Sequence, residues 1–168
     1  MAETSLGKYS AAERLNSMAV DLIGVTLTRT GATVADGEVI SESIEIPNAV
    51  AVTGGSAIIQ SIILHNRDDS VESPTVELLF EPNNMVAGTM AGISDSEAIT
   101  IQGATTISNW SVLKPSNNEI AFKGNIGMVV KAASDSKSIY VTVINRSGAN
   151  YTPSSENSLT AKIGIVKD

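Results

Sequence analysis

"VTLTRTGATVADGEVISESIEI", residues Val25 to Ile46, alternates aliphatic side chains with Thr, Ser and Glu on either side of an Asp36-Gly37 pair. Val25, Leu27 and Arg29 alternate with Thr26, Thr28 and Thr30. In the second run Ile40, Ile44 and Ile46 share one side, with Ser41, Ser43 and Glu45 on the other. A period of two, apolar inward and hydroxyl outward, is the pattern of a half-buried antiparallel strand. Asp-Gly supplies the positive φ of a turn between the runs.

The same period continues toward the C-terminus. Ala57 to Leu64, within "IPNAVAVTGGSAIIQSIILHN", is apolar on both faces, which places it mid-sheet in a sandwich or at a subunit contact. "TVELLF" (Thr75 to Phe80) resumes the alternation, and strands are expected at Ile107 to Leu113, Ile120 to Lys123, Met128 to Ala132, Ile139 to Asn145 and Leu159 to Val166. In the last, Leu159, Ala161, Ile163 and Ile165 alternate with Thr160, Lys162 and Gly164. Ser94 ahead of Asp95, Ser96 and Glu97 predicts one helical turn, its hydroxyl oxygen capping free N–H groups. Roughly eight to ten short strands with almost no helix make the fold all-β: an antiparallel sandwich, jelly-roll-like, with a closed barrel as second choice.

Residues ahead of this pattern read differently. Ser10 stands three residues before Glu13, the capping-box spacing, and Ala11, Leu15, Met18 and Leu22 fall on one helical face. The expected organisation is an N-terminal arm or leader with a short helix over 1–24, then a β-sandwich domain over 25–168. The first residues lack the basic start and apolar run of a signal peptide.

Composition narrows the function. With 42% hydrophobic and 17% charged residues the chain can build one core, and with 4% aromatics that core must be aliphatic. A net charge of -7 disfavours phosphate backbones and anionic lipid, so neither nucleic acid nor membrane is an expected partner. The absence of cysteine removes disulfides and thiolate metal sites.

The inventory for catalysis is thin. His65 is the lone histidine, and no G-x-S-x-G segment presents a serine to it. Asp68-Asp69, or Asp95 with Glu97, offer oxygen ligands without the EF-hand spacing. Glu42, Glu45, Glu77 and Glu81 are available for a glycosidase pair, and Trp110 for stacking on a sugar, although a single tryptophan among strand residues is more often core. Gly54-Gly55 lacks the lysine of a phosphate-binding loop. These residues predict no enzyme, no metal and no cofactor.

The order of "VDLIGVTLTRTGATVADGEVI", a Pro-Asn-Ala and Gly-Gly segment before an apolar strand, "LLFEPN", "GISDSEA" and "GANYTPSSENSLTAKIGIV" resembles a group of small virion proteins of tailed bacteriophages, the head decoration or cement proteins. The resemblance spans about Val20 to Val166. It implies a jelly-roll-like homotrimer on the outer capsid surface, with the major capsid protein as partner. Ile58 and Ile62 would then serve the core or trimer contact, and Leu6, Tyr9, Leu15 and Met18 of the arm would reach onto a neighbour. The alternative is a receptor- or carbohydrate-binding sandwich module of a phage fibre or tail.

Overall fold

The computed structural model describes residues 20–27, 32–67, 73–84, 91–113, 118–153 and 159–167. Among them the strands run β1 Val20–Leu27, β2 Val39–Ile46, β3 Ser56–Asn66, β4 Val76–Glu81, β5 Gly103–Ile107, β6 Trp110–Leu113, β7 Asn118–Lys123, β8 Met128–Lys131, β9 Ile139–Asn145 and β10 Leu159–Lys167. One helical turn, α1, spans Asp95–Ala98.

The strands form two antiparallel sheets. The larger has the order β1-β10-β3-β7-β6, with β8 also on β3; the smaller has the order β2-β9-β4-β5. The chain passes from one sheet to the other between β1 and β2, β2 and β3, β3 and β4, β5 and β6, β8 and β9, and β9 and β10, while β4 and β5 pair directly. Orders β1-β10-β3-β7 and β2-β9-β4-β5, with the first strand beside the last, are those of a jelly-roll sandwich.

The alternation seen in the sequence builds the core between the sheets. Leu159, Ala161, Ile163 and Ile165 of β10 face Leu78, Phe80, Val141 and Val143 of the smaller sheet in one aliphatic cluster, with Phe80 its largest fully enclosed side chain. Trp110 packs against this cluster, and its indole N–H donates to the Pro74 carbonyl at 3.0 Å.

Four expectations need correction. First, β1 begins at Val20, so 20–24 belong to the sandwich: each residue from Val20 to Leu27 pairs with β10, and Leu22 lies on a strand rather than a helical stripe. Leu22 and Gly24 are exposed while Ile23 and Val25 pack on the core, a period of two. Second, the segment expected as one strand from Ile107 to Leu113 is two, because the chain changes sheet at Ser108-Asn109. Third, the Asp36-Gly37 turn is present, with Gly37 at φ 84, but the runs it joins lie in opposite sheets. Fourth, Ser41 is fully enclosed, since the β2–β9 register shifts on both sides of it and breaks the simple alternation.

A bulge in β3 has further consequences. Ile59 pairs with Ile165 and Ser61 with Gly164, leaving Gln60 without a partner in β10. The extra residue inverts the side-chain parity. Ile59 and Ile62 therefore both point into the core, whereas Ile58, Ser61 and Ile63 point outward. At the same place β3 changes neighbour, from β8 over Ser56 to Ile59 to β7 over Ile62 to Asn66.

Candidate protein-docking face

Each sheet has an outer face, and the two are finished differently. On the smaller sheet Val39, Leu79 and Ile144 point away from the core, and Ile93 and Ile101 pack over them as a second small cluster. The covering segment, 91–102, is fastened by the Val39 N–H donating to the Ala91 carbonyl (3.0 Å) and the Gln102 N–H donating to that of Phe80 (2.8 Å). The Gln102 side chain bonds the Lys131 backbone twice, donating to its carbonyl at 2.9 Å and accepting from its N–H at 2.8 Å.

The helical turn within this cover follows the expectation from sequence. Ser94 caps α1 in a reciprocal capping box: the Glu97 N–H donates to Ser94 Oγ at 3.4 Å, and the Ser94 N–H donates to Glu97 Oε2 at 2.7 Å. The Ser94 hydroxyl and backbone N–H, bonding its carboxylate, hold Glu97 below its ordinary pKa of 4.5. Glu97 is thus used in a cap.

The larger sheet has no such cover among the described residues. Its registers align outward side chains in rows across the strands. One row runs Val166, Ile58, Val129, the next Leu22, Gly164, Ser61, and the one after it Lys162, Ile63, Phe122. The Phe122 ring lies over Gly124, where an added Cβ would come 2.9 Å from Cζ and push the exposed ring aside. Leu22 is 58% exposed, Phe122 66% and Val129 64%, with Ile58 and Ile63 half-buried between them. Lys162 and Lys131 stand on this face; by register no described Asp or Glu points outward on it, and Glu119 lines the recess at its end. In a chain with 18 acidic residues that is a marked local departure.

His65 lies at one end of the same face, opposite Thr160 of β10 and Ile120 of β7. It lines an open recess of about 520 Å³ together with Thr26, Arg67, Asn118, Glu119 and Lys162. The carboxylate of Glu119 accepts a hydrogen bond from the Ser73 hydroxyl. The recess is open rather than deep, and among the described residues Glu119 is the carboxylate that lines it.

The remaining carboxylates also have structural partners. Glu77 accepts from Arg146 Nε at 2.7 Å, and Glu45 from the Ser138 hydroxyl at 2.6 Å. Glu81 is fully enclosed, and its Oε1 accepts from the hydroxyls of Ser43 and Thr142, the latter at 3.0 Å. Among the described residues no three His, Asp or Glu side chains converge as metal ligands. Asp68 and Asp69 lie outside the described residues.

Of the residues expected at an interface, Ile58 is on the open face. Ile62 is not: the bulge at Gln60 turns it into the core, where it is fully enclosed by the chain itself. Leu6, Tyr9, Leu15 and Met18 lie outside the described residues. Sequence reasoning missed Phe122, Val129 and Leu22. Phe122 alternates with Ala121 and Lys123, which carries a signal for a strand but none for which side is open.

No family model matches the chain, and no curated protein matches it. Among solved structures it is similar to a chain of maize chlorotic mottle virus, at 9% identity over 89% of this chain and 91% of that one, with a TM-score of 0.31. It is similar to a chain of mud crab tombus-like virus at 9% identity, 89% and 80% coverage and TM-score 0.35. Israeli acute paralysis virus gives 8% identity, 99% and 81% coverage and TM-score 0.30. At these scores the likeness carries no argument about what this chain does.

Proposed function

We propose that the chain is a non-enzymatic structural protein of a phage virion, a trimeric decoration protein that binds the outer capsid surface and staples adjacent capsomers. The observation that carries this reading is the outer face of the larger sheet, where Leu22, Phe122 and Val129 stand open among the described residues. An open patch of this kind on a soluble sandwich marks a surface made for contact with protein. The resemblance of the sequence to head decoration proteins supplies the setting. A trimer suits a three-fold junction because each copy repeats the same contact, and three modest contacts made together gain strongly from effective concentration.

Residues 1–19 are the second contact in this reading, reaching onto a neighbouring subunit through Leu6, Tyr9, Leu15 and Met18. Removing Met1 to Ser17 should lower occupancy on capsids while the melting of the sandwich is unchanged. Unchanged occupancy would end the role of the arm.

The decisive experiment is an electron-microscopy reconstruction of particles carrying the chain. Three copies around a junction between capsomers, and earlier rupture on heating when the chain is left out, are the expected results. Density in a tail or fibre instead of the shell would overturn the reading.

A further inference from the structure

We infer that the recess around His65 is a seat for a carboxylate carried on an acidic segment of another protein. This chain builds the seat alone, whatever setting or oligomer it serves.

Strand register assembles the site. Thr26, Thr160 and His65 stand opposite one another on β1, β10 and β3, on the outward side of the larger sheet. Strands about 4.8 Å apart put Thr26 and His65 about 10 Å from each other, with Thr160 between them. Lys162 is two residues along β10 from Thr160 and so stands on the same side. Because β10 and β3 run antiparallel, Arg67, just past the end of β3, lies on the other side of that row. Two hydroxyls and an imidazole are thus flanked by a cation at either hand.

These groups are unspent. The side chains of Thr26, Thr160, His65 and Lys162 make no hydrogen bond or ion pair among the described residues. Other cations are committed: Lys123 donates to the Thr106 carbonyl, Lys167 to Asp21 and Arg146 to Glu77. Glu119, the carboxylate that lines the recess, already accepts from the Ser73 hydroxyl. Arg67 and Asn118 bond elsewhere as well and complete the rim. What the recess has left to offer is donors and positive charge. An ionised carboxylate, which only accepts, is the matching group, and its bonds to lysine and imidazolium are charge-assisted.

The charge of -7 on the chain does not forbid this. At about 0.15 M salt the screening length is about 8 Å, so the cations at contact outweigh carboxylates farther off. The shape selects the source of the carboxylate. Small-molecule pockets enclose most of their ligand, and an open recess does not. It fits one side chain projecting from a larger partner that remains outside.

His65 is the lone histidine, so its imidazole proton resonances report this recess by themselves. Titrating the full chain with acetylated, amidated tetraglutamate should shift them saturably, and tetraglutamine should not. The shift should weaken as salt is raised. Lys162→Glu should raise the dissociation constant at least about tenfold. Lys137→Glu, at an exposed site outside the recess, should leave it unchanged. If Lys162→Glu fails to fold, Lys162→Gln decides in its place. No shift with tetraglutamate, or undiminished binding by a well-folded Lys162 variant, would overturn the inference. Succinate binding as tightly as the peptide would overturn the assignment to a protein segment.

Discussion

Leu79 and Ile144 on the smaller sheet, and Phe122 and Val129 on the larger, occupy the same layer of the sandwich: the outer side of a strand, one step from the core. The first pair is 5% and 1% exposed, the second 66% and 64%. The difference comes from the connections. The stretch from 82 to 102, between β4 and β5, is long enough to fold back and lay Ile93 and Ile101 on its own sheet. Those joining β6 to β7 and β7 to β8, 114–117 and 124–127, are far shorter. Covering a large aliphatic side chain is worth about 1.5–3 kcal/mol, so an uncovered row forgoes several such increments of stability. Among the described residues nothing makes up for that loss.

The comparison is most sharply tested with the two phenylalanines. Phe80→Ala in the core should cost about 3–5 kcal/mol in chemical denaturation. Phe122→Ala on the open face should stay within about 0.5 kcal/mol under conditions where the chain is monomeric. Equal losses would mean that the larger sheet's face is covered after all.

Leu79→Ala, beneath the cover, should cost about 2–3 kcal/mol, the lower part of the range for buried leucines because its cluster is thin. Val129→Ala should be nearly silent in the same assay. Should the two losses match, Ile93 and Ile101 are not shielding their sheet.

Thr142→Val removes a hydroxyl from the enclosed Glu81 and leaves its carboxylate with one fewer donor. A loss of about 1–3 kcal/mol is expected by thermal or chemical unfolding. No loss would show that this outward polar site is solvated, like the opposite face.

The smallest effect concerns α1. Glu97 is held below 4.5, so its contribution is present above that pH and is lost as pH falls through the depressed value. Amide exchange over 94–100 should therefore quicken relative to the core strands as pH falls through the depressed value. Glu97→Gln, which keeps a capping side chain without the charge, should remove that pH dependence. An unaltered pH profile in the variant would assign the effect to another group.

The fold was legible wherever alternation is strict. β9 matches the expected Ile139 to Asn145, β10 extends the expected strand by one residue, and α1 follows directly from Ser94 and Glu97. Alternation failed where two periods fit the same residues: Leu22 completes both a helical stripe and a strand. It failed again at Ser108-Asn109, because β composition continues on both sides while the chain crosses between sheets. The site was half legible. Ile58 and Ile62 are four apart, and a period of two puts them on one face. The unpaired Gln60 separates them, and nothing in the apolar run around it announces a bulge. Which of two strand faces stays uncovered depends on where the 82–102 connection lands, a long-range outcome that local spacing does not carry.

The place of β10 between β1 and β3 also governs how the molecule is made. During synthesis every other described strand leaves the ribosome before β10, and β1 lacks this partner until β10 arrives to close the gap. Because pairings such as Val20 with Val166 join segments far apart in sequence, folding is dominated by distant contacts and belongs to the slow, millisecond-to-second class. Until Leu159 to Lys167 inserts, the edges of β1 and β3 are bare, and that interval is when the nascent protein is most open to aggregation.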